Sequence, residues 1–110
     1  MNQKEFQRFI DRDVHCPHCG TTDETLVPQH RSNRGMGGHK AGNQPANILV
    51  LCSLANGLIE SDAKEAETAR RFGWKIGRYA DPAAAPYYDA TTGVWWQPDN
   101  FFGRKRAIWQ

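Results

Sequence analysis

Ile48-Leu49-Val50-Leu51, a run of four apolar residues that directly precedes Cys52, decides the fold. An apolar run of this length, with two β-branched members, predicts a buried strand. Ser53 is a suitable N-cap for a helix that follows it. Upstream, residues 25–31 predict another strand, in which Pro28 marks an edge position or a bulge. The order around the run is therefore strand, loop, strand, helix.

The residues before this unit predict one more helix. Phe6, Phe9 and Ile10 recur at helical spacing within residues 1–13, behind Asn2 as the N-cap. The loop at residues 32–46 is rich in glycine and longer than most loops of compact domains, which is typical of a functional or disordered segment.

The second half of the chain predicts four further features. Asp62 can cap a helix that runs through Arg71 and stops at Gly73. Residues 74–79 alternate like a strand, and residues 87–90 and 94–97 predict a β-hairpin. A basic cluster at 104–106 closes the chain and predicts either a solvated tail or a second site for a polyanion. Residues 62–110 thus complete a single α+β domain of 110 residues with a helix, a strand, a hairpin and a basic tail.

Composition excludes several classes of protein. Of the 110 residues, 39% are hydrophobic and 24% are charged, and the aromatic content is too high for simple disorder. No apolar run approaches the roughly 20 residues that cross a bilayer, and the first residues lack the apolar stretch of a signal peptide. We therefore expect a cytoplasmic protein that does not bind membranes.

The distribution of charge is more informative than its sum. Fourteen Lys and Arg residues stand against 12 Asp and Glu residues, a net charge of +2 that is too small to indicate a nucleic-acid-binding protein by itself. However, no acidic residue lies between Glu24 and Glu60, where Arg31, Arg34 and Lys40 occur. This stretch can meet a polyanion without like-charge repulsion, so these three residues are candidate contacts to DNA phosphates.

Three cysteines cannot all pair as disulfides, and two of them form the motif Cys16-Pro17-His18-Cys19. In a reducing compartment this spacing indicates metal binding or redox chemistry rather than a structural disulfide. Cys52 is the third cysteine, and it is equally compatible with a metal ligand and with a small buried hydrophobic residue.

Five motifs in order carry a family resemblance: Cys16-Pro17-His18-Cys19, Gln29-His30-Arg31, Arg34-Gly35-Met36-Gly37-Gly38, the segment 45–52 and the segment 56–61. Together they resemble the HNH endonuclease family, most closely the small HNH proteins of bacteriophages, and the similarity extends from about residue 16 to residue 86. The resemblance implies a ββα-metal core over residues 16–61.

The resemblance also implies roles for four residues. His30 occupies the position of the general base, Asn47 that of the asparagine that orients it, and Asn56 and Gln29 those of the ligands to a catalytic Mg²⁺ or Mn²⁺. Independently of the family, a histidine suits the activation of water because its unperturbed pKa is about 6.5. A divalent cation held by amide oxygens and substrate phosphate suits the charge that develops on a cleaved phosphodiester.

Two positions depart from the family pattern, because Gln29 replaces an Asp or His and Asn56 replaces the commoner His. Neither brings a negative charge to the cation, and a neutral amide binds Mg²⁺ more weakly than a carboxylate does. Glu60, four residues after Asn56, could compensate through a water molecule or could be a solvated surface residue.

A structural zinc is the second metal that the resemblance implies. Many relatives hold zinc between two C-x2-C motifs, and Cys16, Cys19 and Cys52 match three of the four ligand positions, while Ala55 replaces the fourth. Tetrahedral zinc takes four ligands. His15, His18 or His39 could complete the site, although none occupies the expected position.

The leading hypothesis is a metal-dependent endonuclease that nicks or cuts double-stranded DNA. The resemblance further implies phage terminase or portal proteins as partners and the bacterial host cytoplasm as the location. Two alternatives remain: a degenerate HNH fold that binds DNA or a host protein without cleavage, and a zinc-ribbon adaptor.

Overall fold

The computed structural model describes residues 1–32 and 44–107. Within them the chain forms the expected α+β fold, with three α-helices, a short 3-10 helix at Pro45–Asn47 and two small antiparallel sheets. The elements are α1 (Gln3–Asp13), β1 (Leu26–His30), β2 (Ile48–Cys52), α2 (Ser53–Ser61), α3 (Ala63–Arg71), β3 (Tyr87–Asp89), β4 (Val94–Pro98) and β5 (Arg104–Arg106). Most of the predicted loop at 32–46, with Arg34, His39 and Lys40, lies outside the described residues.

The β1–β2 pair and α2 form the centre of the molecule. β1 pairs with β2 in a register that places Leu26 opposite Cys52 and His30 opposite Ile48. All five residues of β2 are buried, because α1 and α2 both pack against this strand. Pro28 is exposed on β1, whose pairing in the described structure is with β2 alone, which confirms the predicted edge position.

Polar side chains anchor α1 to β2. The Asn2 side chain caps α1 by accepting a hydrogen bond from the Glu5 N–H at 2.8 Å, as predicted. At the other end of the helix, the buried pair Arg12 and Asp13 contacts the strand: Arg12 donates to the Ile48 carbonyl, and Asp13 accepts from the Val50 N–H at 3.1 Å.

The two following helices begin at side-chain caps. The N-cap of α2 is Cys52, one residue before the predicted Ser53, because the Cys52 sulfur accepts the Ala55 N–H at 3.3 Å. Asp62 caps α3 through the Lys64 and Glu65 N–H groups, as predicted. Gly73 ends this region at φ +76°, where a Cβ would overlap the Pro86 carbonyl oxygen, so glycine is required.

Two predictions for the second half are wrong. Residues 74–79 form no strand; Trp74 is buried with its indole N–H donating to the Tyr88 carbonyl at 2.8 Å, and Ile76 N–H donates to the Arg31 carbonyl at 3.0 Å. Burial does not alternate along the segment either: Trp74 is buried, whereas Tyr79 is exposed. The basic cluster is not a tail but strand β5, which pairs with β4 in the sheet order β3-β4-β5.

The predicted hairpin is confirmed as β3 and β4, with Tyr87 opposite Trp96. β5 extends it because Arg104 stacks over the Trp96 ring at 3.8 Å and donates to the Tyr87 hydroxyl at 2.8 Å. Within the described residues, no helix has the length and apolar content that crossing a bilayer requires.

Candidate functional site

The three cysteines converge on one point of the structure. Their sulfur atoms all lie within 4.8 Å of one another, and the Cys19 and Cys52 sulfurs are 3.4 Å apart. Cys16 and Cys52 are buried and Cys19 is exposed, and all three are free thiols. The three sulfurs can therefore hold a soft metal ion such as zinc.

The turn after Cys16 brings these sulfurs together. Gly20 N–H donates to the Cys16 carbonyl at 2.8 Å, and Gly20 adopts φ +81°, a conformation that favours glycine. Backbone N–H groups of Cys52, Cys19 and His18 act to lower the pKa of the Cys16 thiol. N–H groups aimed at sulfur favour the thiolate, which is the form that binds metals.

The cysteines differ in acidity. Burial raises the pKa of Cys16 to about 12 and outweighs the N–H groups that surround its sulfur. Burial also raises the pKa of Cys19, but hydrogen bonds from the side chain and backbone of Thr21 and from Cys52 and Cys16 reverse this and lower it to about 6. Cys19 is thus a thiolate at neutral pH, and a bound cation would deprotonate its neighbours.

The described residues supply three ligands to this centre and no fourth. Ala55, the position to which the sequence resemblance assigns a fourth cysteine, is buried and gives only its backbone N–H to the Cys52 sulfur. The His15 ring nitrogen contacts Asp89 at 2.7 Å and Thr91 at 2.9 Å. His18 faces Glu65 at 3.4 Å and does not belong to the group of atoms within 4.8 Å. His39 lies outside the described residues.

His30 and Asn47 meet where β1 ends and β2 begins. His30 is the last residue of β1 and is half-buried, and Asn47 is fully buried immediately before β2. The Asn47 side chain accepts the Ser32 N–H at 2.9 Å and donates to the Ser32 carbonyl at 3.2 Å. The Asn47 amide thus clamps the backbone two residues after His30.

Asn56 has an unusual environment for a polar side chain. It lies on α2, which packs against both β1 and β2, and its side-chain oxygen is buried without a hydrogen-bond partner in the described structure. Buried polar atoms almost always have a partner, and a missing cation or water is one explanation for an exception. An amide oxygen in this state is suited to Mg²⁺ or Mn²⁺.

Gln29 is less well placed than Asn56 for the same cation. It is buried, and its side-chain nitrogen donates to the His30 carbonyl at 3.1 Å. Adjacent residues of a strand point to opposite faces, so Gln29 and His30 lie on different sides of β1. Gln29 is therefore poorly placed to hold a cation beside the His30 imidazole.

The structure contradicts the prediction that Arg31 contacts DNA, because the side chain does not reach the surface. The residue is fully buried and all five of its N–H donors are used. They donate to the carbonyl oxygens of Gly73, Ala46, Pro82, Ala85 and Pro86 at 2.6–3.2 Å. The expected contact of Arg31 with DNA phosphates is therefore wrong, and the side chain instead holds the segment after α3 against the β1–β2 unit.

The other two predicted contacts with DNA phosphates, Arg34 and Lys40, lie outside the described residues.

Comparisons of the chain with protein-family models, with curated proteins and with solved structures find no match. The functional assignment therefore depends on the geometry of the site and on the sequence motifs.

Proposed function

We propose that this chain is a metal-dependent endonuclease of the HNH type that hydrolyses phosphodiester bonds in double-stranded DNA. The observation that carries the proposal is the side-chain oxygen of Asn56, which is buried and has no hydrogen-bond partner among the described residues. It lies on the helix that directly follows a two-stranded antiparallel sheet, and His30 ends the first strand of that sheet. This order of elements is the one expected of a ββα-metal core.

Three side chains have separate roles in the proposed reaction. The His30 imidazole takes the proton of the attacking water, and the Asn47 clamp on Ser32 fixes the backbone that carries His30. Asn56 holds the cation, with Gln29 as the second candidate ligand. A bound Mg²⁺ or Mn²⁺ supplies charge neutralisation at the phosphate and at the leaving 3′-oxygen.

The cysteine centre has a structural role in this proposal. Cys16, Cys19 and Cys52 would hold zinc between the turn after α1 and the start of α2, because Cys52 is also the N-cap of that helix. Such a site would fix the helix that carries Asn56. Phage terminase or portal proteins, and the cytoplasm of a bacterial host, remain proposals that follow from the resemblance alone.

A catalytically inactive HNH fold that binds DNA is the second candidate. The observation that favours it is the neutral character of Gln29 and Asn56. Among the described residues, the cysteine centre is the one group of three or more His, Cys, Asp or Glu side chains placed to hold a metal. A cation at Asn56 would therefore depend on amide oxygens, water and substrate.

Nicking of supercoiled plasmid separates the two candidates. We expect nicking with Mg²⁺ or Mn²⁺ and none with EDTA, and we expect His30→Ala to abolish it. Binding of the variant to the same plasmid in EDTA, together with an unchanged thermal unfolding curve, provides the control for folding. A folded His30→Ala protein that nicks at the wild-type rate contradicts the proposal, and an inactive wild-type protein that still binds DNA supports the second candidate.

A further inference from the structure

A cleft of about 310 Å³ lies between α2, α3 and the chain that follows α3. Charged side chains from all three parts line it: Glu60 from α2, Arg70 from α3 and Lys75 from the following segment. Arg31 lines the cleft from the buried side. None of the motifs in the sequence includes Arg70 or Lys75.

The cleft carries more positive than negative charge. Apart from the fully buried Arg31, the charged residues that line it are Arg70, Lys75 and Glu60, and the Glu60 carboxylate contacts the Lys75 ammonium at 3.1 Å. Arg70 is exposed and forms no ion pair among the described residues. The guanidinium of Arg70 is therefore available to an anion from solution.

The buried guanidinium of Arg31 adds to this potential. Its hydrogen-bond partners are carbonyl oxygens, with no carboxylate among them, so they satisfy its donors without neutralising its charge. Clefts with walls of low dielectric and one prevailing sign of charge concentrate the electric field and attract counter-ions. An anion in this cleft could thus contact Arg70 and Lys75 directly. The buried charge of Arg31 would attract it without contact.

The cleft lies next to the proposed cleavage site. Glu60 follows Asn56 by one turn of α2, a separation of about 6 Å along the helix. A DNA strand whose cleaved phosphate lies at Asn56 would therefore present another phosphate to the cleft.

We propose that this cleft binds a backbone phosphate of the DNA strand beside the cleaved bond, through Arg70 and Lys75. The inference rests on the proposed function for the identity of the ligand. Glu60 opposes the interaction, because its carboxylate competes for Lys75 and repels the phosphate. The cleft then supplies positioning contacts of the kind first assigned to Arg31.

Binding of a short DNA duplex in EDTA tests the cleft without any cleavage. Fluorescence anisotropy measures affinity against salt concentration for the wild type, Arg70→Gln and the control Arg71→Gln. Arg71 has the same charge and helix, but it lies over the Phe72 ring and does not line the cleft. We expect Arg70→Gln to weaken binding and to lower the slope of log K against log salt by about 0.9, the value for one phosphate contact. Arg71→Gln should retain the wild-type slope.

A substitution that removes a negative charge, and is expected to have the opposite effect on binding, strengthens the test. We expect Glu60→Gln to tighten duplex binding, since it removes the one negative charge that lines the cleft. Equal losses in the Arg70 and Arg71 variants, or an unchanged slope for Arg70→Gln, would overturn the inference. So would a wild-type protein that binds no duplex.

The plasmid assay keeps the two proposals apart. Duplex binding that depends on Arg70, without nicking by any cation, refutes the endonuclease and leaves the phosphate cleft in place. Nicking by a wild-type protein whose duplex binding is insensitive to Arg70→Gln refutes the cleft and leaves the endonuclease in place.

Discussion

The side-chain amide of Asn47 holds both backbone groups of Ser32, accepting its N–H at 2.9 Å and donating to its carbonyl at 3.2 Å. Because both residues are fully buried, no bulk water can replace either bond. The two bonds hold the backbone two residues after His30. They therefore stabilise the β1–β2 unit and also fix the position of the proposed base.

Asn47→Ala tests this relationship. The substitution leaves the buried N–H and carbonyl of Ser32 without the amide, and each unsatisfied buried group costs about 1–3 kcal/mol. We expect urea denaturation to show a loss of free energy of unfolding in that range or above, together with slower plasmid nicking at temperatures where the variant is folded. Wild-type stability in Asn47→Ala would mean that the clamp contributes nothing.

Arg31→Lys tests the reassignment of Arg31 from DNA contact to the interior. Lysine keeps the charge but offers three donors in place of five, so at least two of the carbonyl oxygens lose their partner. We expect unfolding free energy to fall by about 3 kcal/mol, while the salt dependence of DNA binding by the folded variant stays that of the wild type. A stable variant with a lower salt slope would return Arg31 to the DNA interface.

Much of the fold follows from local rules of sequence. Asn2 and Asp62 cap their helices, Pro28 occupies an edge, and the hairpin of β3 and β4 forms, because each depends on residues only a few positions apart. The C-x2-C spacing likewise predicts the approach of Cys16 and Cys19.

Contacts between distant parts of the chain could not be predicted in this way. Arg31 is buried because five carbonyl oxygens from residues 46–86 converge on it, and no local pattern separates such an arginine from a surface one. The cleft at Arg70 and Lys75 likewise exists only once α3 and the following segment pack beside α2. The alternation at 74–79 predicts a strand, but Trp74 and Ile76 instead bond to the distant residues Tyr88 and Arg31, which local sequence does not reveal.

Ala55→Cys should complete the cysteine centre. Residue 55 is buried in the first turn of α2 and its N–H reaches the Cys52 sulfur at 3.3 Å, so a thiol there lies beside the other three. We expect tighter zinc binding in competition with a chelator, and a Co²⁺ spectrum that changes to that of four sulfur ligands. Ala63→Cys, which adds an exposed thiol at the start of α3, is the control and should leave both unchanged. Identical zinc affinity in the wild type and Ala55→Cys would show that residue 55 does not complete the centre, and a wild type that binds no zinc would show that the three sulfurs do not share a metal.

The difference in pKa between Cys19 and Cys16 predicts how alkylation of the metal-free protein depends on pH. Cys19, with its pKa lowered to about 6, should react with iodoacetamide as the pH rises through 6, since only the thiolate attacks. Cys16, with its pKa raised to about 12, should remain unmodified at neutral pH. Mass spectrometry of the labelled peptides measures both.

Thr21→Val provides the matched control, because it removes the hydroxyl that lies 3.0 Å from the Cys19 sulfur and keeps the side-chain shape. The midpoint for Cys19 should move upward in this variant, toward the ordinary thiol value of about 8.5. A midpoint that is already ordinary in the wild type would contradict the description of the site.

The central claim, that Asn56 holds a catalytic cation, is tested most directly by plasmid nicking as a function of Mg²⁺ concentration in the wild type and in Asn56→Leu. Leucine has a similar shape and replaces a buried oxygen that has no partner in the described structure, so we expect unfolding free energy to be unchanged or higher. We expect nicking by the wild type to saturate with Mg²⁺ and nicking by Asn56→Leu to be lost at every concentration. Equal, Mg²⁺-dependent nicking by both proteins would contradict the account.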